Sequence, residues 1–230
     1  MAVLLELENV KANYGAFRAL KGVSIAFEDG QRTGIFGHNG SGKSTLLRCC
    51  VGAHRELSGR VTFAGNGVAP GAVHRNVKLG IGFVPQGHNV FTDLSVEQNL
   101  RIAGLMQENA DLATVYELFP VLRARRRQLA GTMSGGEQQM IAFGMALMTR
   151  PRILLLDEPT TGLAPVLANM VLETVDRVSK AMSIGLVLVE QNVPRTLRFV
   201  DRAIIMKMGR VISDGPSREL LDKRDLWEWF

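Results

Sequence analysis

The sequence predicts an α/β fold in which a parallel-sheet core carries an antiparallel β layer and an inserted α-helical subdomain. Three observations support this. Near the beginning, Leu5 and Leu7, then Val23, Ile25 and Phe27, alternate with other residues in the manner of strands covered on one face. Further on, Ile153-Leu154-Leu155-Leu156 and residues 184–189 are apolar runs of the kind found in parallel strands covered on both faces. Between these regions, from Ser95 onward, apolar residues recur at helical spacing.

Taken in order, Glu28-Asp29-Gly30 makes the turn that leads into a strand at residues 32–36, which ends at Gly37. Residues 44–51 have helix-forming composition, so strand, loop and helix follow one another. Residues 60–63 with Gly65-Asn66-Gly67 read as a strand and turn, and residues 81–84 as a strand stopped by Pro85. Ser95 and Gln98 make a capping box, and Leu112, Val115, Tyr116 and Phe119 repeat at helical spacing up to Pro120. One domain is therefore expected, with its core at residues 1–87 and 149–230 and the helical subdomain at residues 88–148. The run at residues 153–156 lies between Pro151 and Pro159, after which Leu167, Met170, Val171, Thr174, Val175 and Val178 outline an amphipathic helix. Residues 203–206 and 210–212 read as further strands, with Gly209 in the turn between them.

With 230 residues, 46% of them hydrophobic, the chain can build an ordinary interior. It contains no apolar run of about 18 residues, and Glu6 follows the first apolar residues where a signal peptide would remain apolar, so a soluble, cytoplasmic chain is expected. The adjacent Cys49 and Cys50 suit neither an ordinary disulfide nor a tetrahedral metal site, and read as buried, reduced thiols. A net charge of +5 suits nucleic acid or anionic lipid, but phosphate-binding proteins also accumulate basic residues. Arg123, Arg125, Arg126 and Arg127 read as a solvated helix end, with a partner or lipid contact as the alternative.

The chemistry is concentrated in four segments. Gly37-His38-Asn39-Gly40-Ser41-Gly42-Lys43-Ser44 fits G-x-x-x-x-G-K-[ST], and Thr45 follows on the helix. Glycines let backbone N–H groups close around phosphate oxygens, Lys43 brings a positive charge, and Ser44 offers a hydroxyl to Mg²⁺. ATP is the expected ligand. Asp157, at the end of a buried strand, is a candidate for holding Mg²⁺ through water, with a helix N-cap as the plainer reading. Glu158 is the candidate general base that polarises the attacking water. Gln86, after Pro85, is a candidate ligand of Mg²⁺ or of that water, or an ordinary polar loop residue. Ser134-Gly135-Gly136-Glu137 makes a capping box whose two glycines leave N–H groups for an anion.

These motifs, in this order, resemble those of the ATP-binding cassette ATPases over essentially the whole chain. The resemblance implies a P-loop NTPase (RecA-like) core in which two cassettes join head to tail, so that Ser134 and Gly136 of one face ATP held on Lys43 of the other. It also implies that Tyr14 stacks on adenine; a surface aromatic is the bland alternative. Tyr116-Glu117-Leu118-Phe119-Pro120, Ala130-Gly131-Thr132-Met133, Gly162-Leu163-Ala164-Pro165 and Leu188-Val189-Glu190-Gln191-Asn192 narrow the likeness. They resemble the smaller ATPase subunit of branched-chain amino acid importers, whose relatives serve urea and short amides.

That likeness implies membrane permeases as partners, docked in a groove between the helical insertion and the Gln86 loop. A second cassette, of this or another chain, and indirectly a substrate-binding protein complete the set, and the location becomes peripheral on the inner face of the cell membrane. One departure from the broad family stands out: Gln191 occupies the place where most cassettes have histidine. Glutamine can donate a hydrogen bond to a γ-phosphate but cannot become cationic, so weak activity of the chain alone, compensated by a partner cassette, is expected. A soluble cassette acting on nucleic acid or ribosomes is disfavoured, because only a short helical segment separates Gln86 from Ser134. A GTPase is disfavoured by the lack of an Asn-Lys-x-Asp guanine reader. Cargo choice belongs to permeases and binding proteins outside this chain.

Overall fold

The computed structural model describes residues 2–87, 89–105, 107 and 111–221. In its first half the strands are β1 (Val3–Tyr14), β2 (Phe17–Glu28), β3 (Arg32–Phe36), β4 (Leu57–Phe63), β5 (Asn66–Gly67) and β6 (Ile81–Val84). The second half adds β7 (Ile153–Asp157), β8 (Gly185–Val189), β9 (Arg202–Lys207) and β10 (Arg210–Pro216). Helix α1 (Lys43–Val51) follows β3, and α2 (Val73–Lys78) precedes β6. Between β6 and β7 lie α3 (Val96–Gly104), α4 (Leu112–Leu118), α5 (Pro120–Ala124) and α6 (Gly135–Leu147). Then α7 (Pro165–Met182) leads into β8, α8 (Val193–Thr196) precedes β9, and α9 (Ser217–Leu221) follows β10.

Two sheets result. The antiparallel one has the order β2-β1-β4-β5, with Leu5 opposite Phe27 and Leu7 opposite Ile25, as their alternation requires. The larger one has the order β10-β9-β3-β8-β7-β6 and is parallel from β9 to β6, with β10 antiparallel at one edge. Its inner strands are apolar on both faces because each face has its own core. Leu154 and Leu156 of β7 and Leu186 and Leu188 of β8 point into one, with the inserted helices and α7. Ile153 and Leu155, with Val187 and Val189, point into the other, which α1 shares with the antiparallel sheet. Strand period decides membership, since successive side chains take opposite faces. The inserted helices share their core with the sheet, as Val96, Leu100 and Phe143 join Phe36 and Leu154 in one cluster. The expected boundary at residue 88 itself falls outside the described residues.

Local rules hold at most helix starts. Ser95 Oγ accepts from Gln98 N at 3.2 Å while Gln98 Oε1 accepts from Ser95 N at 2.8 Å, which completes the expected box. Two expectations shift. The turn placed at Gly65-Asn66-Gly67 lies one residue earlier, at Ala64 and Gly65, both with positive φ, and Asn66–Gly67 already pair as β5. On α7 the buried face is Ala168, Val171, Leu172, Val175, Val178 and Ser179, whereas Met170 is 45% exposed. Met170 lies on the side of α7 turned away from that stripe, and Leu167, at its border, lies against Gly136.

At the amino ends of the parallel strands, Arg32 bonds Asp201 through Nε at 2.9 Å and Asp176 through Nη1 at 2.5 Å, joining β3, α7 and the start of β9. The Arg cluster is exposed around the end of α5, with Arg125 Nε 3.4 Å from Glu137 Oε1.

Cys49 and Cys50 are both free and buried on α1, as expected. Burial pushes the Cys49 thiol up to about 12 and raises Cys50 as well, so neither supplies the thiolate that reacts. Both thiols should resist a thiol-specific reagent in the native chain and react together once denaturant unfolds it. Rapid native labelling at either position, followed by peptide mapping, would contradict this packing.

Candidate nucleotide-binding site

Four neighbouring parallel strands deliver the predicted residues to one edge of the sheet. In spatial order β3 ends at the Gly37 loop, β8 at Glu190 and Gln191, β7 at Asp157 and Glu158, and β6 at Gln86. Ligands of open parallel sheets gather beyond the carboxyl ends of their strands, so convergence here follows from topology. An open pocket of about 320 Å³ lies at this edge, lined in part by Asn39, Gly40, Gly42, Lys43, Ser44 and Thr45. Tyr14, Gln86, Glu158 and Gln191 complete its wall with Phe17 and Ala19.

The loop's glycines are required by its surroundings. A Cβ on Gly37 would stand 2.2 Å from the Met206 carbonyl oxygen, and φ of +150° there also disfavours other residues. Gly42, at φ +104°, forms the N-cap of α1, so the first turn presents backbone N–H groups to the loop's interior. The Lys43 ammonium is folded into the loop and donates to the Gly37 and His38 carbonyl oxygens at 2.7 and 3.1 Å. Burial lowers its pKa, an effect opposed by the charges of Glu158, Asp157 and Glu190. Not every residue of the motif faces the pocket. His38 and Ser41 line a smaller cavity of about 160 Å³ behind the loop, with Met206, Lys207 and Met208.

Asp157 continues the β7 face that bears Ile153 and Leu155, the face turned toward α1. That placement lets Ser44 Oγ donate to Asp157 Oδ1 at 2.9 Å. The helix-cap reading fails, because α7 begins only at Pro165 with Ala164 at its N-cap. Burial raises the Asp157 pKa, partly opposed by the Ser44 hydrogen bond. Glu158 takes a left-handed backbone conformation, φ +48°, which its N–H bond to the Val189 carbonyl at 2.9 Å helps to hold. Its Oε2 accepts from Gln86 Nε2 at 2.8 Å, Gln191 Nε2 at 2.8 Å and Thr161 Oγ1 at 3.1 Å. The predicted carboxylate and both predicted glutamines therefore meet on one oxygen.

Tyr14 is 45% exposed and lines the pocket. Its hydroxyl accepts from Arg48 Nη1 at 3.2 Å, and its ring meets His54 edge-on at 4.7 Å between centroids. Ser134 and Glu137 close the expected box, with Ser134 Oγ accepting from Glu137 N at 3.4 Å and Glu137 Oε2 accepting from Ser134 N at 3.0 Å. Within the single chain this segment stays outside the loop pocket. Gly135 lines an adjoining cleft of about 570 Å³ that shares Gln86 and Glu158 with it, while Gly136 is buried beside Leu167.

Three residues escaped sequence reasoning. Phe17, 65% exposed, faces Tyr14 across the β1–β2 turn and lines the same pocket; a large aromatic at a strand end was the available signal. Thr161 gave no signal, since its bond depends on the turn after Glu158. Glu190 is 2% exposed and follows a wholly apolar strand, the same pattern that singled out Asp157.

Burial of the Asp157 carboxyl carries a pH-dependent consequence. An acid whose folded pKa is raised contributes stability below its unfolded pKa and loses it as pH rises through the folded value. Asp157→Asn removes that loss and leaves an oxygen to accept the Ser44 bond. The nucleotide-free variant should therefore melt above the unsubstituted chain near pH 7, with the gap closing toward the ordinary carboxylate range. In a chain of this size, roughly 2–4 °C corresponds to each kcal/mol. Thermal melts across pH check it; equal midpoints near pH 7 would show that Asp157 bears no burial penalty.

The family model described as ABC transporter matches residues 20–161. The chain is 38% identical over 222 residues to the high-affinity branched-chain amino acid transport ATP-binding protein BraG of Pseudomonas aeruginosa, covering 95% of each chain. It is 36% identical to the probable branched-chain amino acid transport ATP-binding protein LivF of Archaeoglobus fulgidus, covering 95% of this chain and 94% of that one. Among solved structures it is similar to a nucleotide-free ATP-binding cassette from an ABC transporter, with a TM-score of 0.85, 27% identity and coverage of 99% and 98%. The ADP conformation of MJ1267, another such cassette, has the same score and identity, with coverage of 100% and 98%. Sequence, fold and the convergence of the glycine loop with Asp157 and Glu158 agree, and the chain belongs to the ABC transporter family as an ATP-binding cassette ATPase.

Proposed function

We propose that this cassette hydrolyses ATP to drive import of branched-chain amino acids, working on the inner face of the cell membrane with permease subunits and a second cassette. One observation carries the catalytic part: the Glu158 carboxylate stands in the pocket of the glycine loop, held on a single oxygen by Gln86, Gln191 and Thr161. Held in this way, Glu158 can take a proton from water at the mouth of the pocket without first being ordered. Lys43 would leave the loop carbonyls for phosphate oxygens, stronger partners for a buried ammonium.

The donor set also suits Mg²⁺. Ser44 and Asp157 present paired oxygens, and among the described residues no group of three acidic, histidine or cysteine side chains could cage a metal alone. Mg²⁺ takes few protein oxygens and completes its shell with water and phosphate, so Ser44, Asp157 and Gln86 are its proposed holders. When bound, the ion neutralises phosphate charge.

Pairing of two cassettes is supported by where the Ser134–Glu137 segment lies. Ser134 and Gly135 are exposed and outside the loop pocket of their own chain, so a facing cassette is the partner they would serve. Permease docking is supported by a groove of about 270 Å³ between α6 and the end of β6, lined by Phe83, Pro85, Ala142, Met145 and Ala146 among others. No helix among the described residues is long and apolar enough to cross a membrane. Attachment is assigned to those permease contacts. The cargo reading rests on the likeness to BraG and LivF, whose names specify branched-chain amino acid transport.

Glu158→Gln keeps an oxygen for all three donors and removes the base. It should bind ATP normally, lose hydrolysis by roughly 10²-fold or more, and accumulate as a nucleotide-bound pair on size exclusion; ordinary turnover would remove Glu158 from this role. For cargo, the complex purified with its native membrane partners should transport leucine in ATP-loaded vesicles. Transport of urea or a short amide instead would reassign the substrate, and recovery with an export permease would overturn import.

A further inference from the structure

The buried Glu190 has no part in the chemistry so far. Its Oε1 accepts from Thr160 N at 3.0 Å and Thr160 Oγ1 at 2.7 Å, and both residues are buried. Its own N–H reaches the Ile35 carbonyl of β3 at 3.3 Å, one strand residue before the glycine loop begins. The next residue, Gln191, donates to Glu158. Glu190 thus joins three segments: the strand that carries the loop, the turn that carries Glu158, and the position that carries Gln191.

The turn needs such an anchor. Glu158 enters it at φ +48° and Gly162 leaves it at φ +80°. Its internal bonds, Thr161 N to Glu158 O at 3.2 Å and Leu163 N to Thr160 O at 3.1 Å, close it on itself without attaching it to the sheet. Attachment comes from Glu158 N to Val189 O on one side and the Thr160 pair on Glu190 on the other. A carboxylate suits the second position, because one oxygen can accept both an N–H and an O–H while offering no competing donor.

We propose that Glu190 is a positioning residue for hydrolysis, fixing the turn of residues 158–163 through Thr160 so that Glu158 stays between Gln86 and Gln191. It lines neither the loop pocket nor the adjoining cleft and acts through Thr160. Burial of its carboxyl raises the pKa, opposed by the Thr160 bonds and the Gln191 N–H, as befits a group held for its acceptor geometry. The inference rests on the ATPase reading of Glu158, and the test separates the two.

The test uses the full chain in its assembled complex, with ATP affinity measured by equilibrium binding and kcat by phosphate release. Glu190→Ala should leave affinity within about twofold and lower kcat by about tenfold or more, the loss expected when hydrogen bonds to a charged group vanish. Glu190→Gln keeps an oxygen for both Thr160 donors but removes the charge that strengthens their bonds, so its kcat should lie between the two. Thr160→Val removes only the hydroxyl donor and should lower kcat by about threefold to tenfold at unchanged affinity; it carries the test if Glu190→Ala does not fold. The proposal is overturned if the folded Ala variant, or the Val variant in its place, turns over normally. It is also overturned if the loss lies wholly in affinity, or if Gln is as impaired as Ala. An unsubstituted complex that binds ATP without hydrolysing it would instead sink the ATPase reading, and this inference with it.

Discussion

Three carboxylates and one ammonium are buried together at the carboxyl edge of the parallel sheet, and much of the local structure answers to that crowding. Asp157, Glu158, Glu190 and Lys43 are each almost wholly removed from solvent. Charges in such a place must be hydrogen-bonded or their desolvation goes uncompensated. Each has a different solution. Asp157 takes the Ser44 hydroxyl, Glu158 collects three side-chain donors, Glu190 takes both donors of Thr160, and Lys43 turns into the loop carbonyls. These partners come from β3, β6, β7, β8 and the segments that follow them, so the arrangement exists only when the strands stand in this order.

The opposite edge of the same sheet is different in kind. There Arg32 is paired with Asp201 and Asp176, Arg202 with Asp214, and Arg152 with Asp29, each positive group meeting acid. At the carboxyl edge, by contrast, Asp157, Glu158 and Glu190 surround Lys43, with Arg48 also acting on Asp157.

Much of this could be read from residues alone. The two-residue alternation at Leu5 and Leu7, and the apolar run before Asp157, gave their strands because burial on one or both faces leaves a direct imprint on composition. The glycine loop and both capping boxes were legible for a similar reason: their bonds join residues at most a few positions apart. What escaped was long-range. Thr160 meets Glu190 across 30 positions and Gln86 meets Glu158 across 72, and no local pattern encodes which strand ends become neighbours. On α7 Met170 misled because it stands three and four positions from Leu167 and Thr174, whereas the buried stripe runs through Ala168, Val171, Leu172 and Val175 on another side of the helix.

Strand period has a practical consequence for watching this cassette at work. Leu154 and Leu155 are adjacent in the chain, yet the first packs with the inserted helices and the second with α1 and the antiparallel layer. Conservative isotope-labelled methyl groups at the two positions would thus be separate reporters a single peptide bond apart. A displacement of the helical layer alone would register at Leu154 with Leu155 as its internal reference.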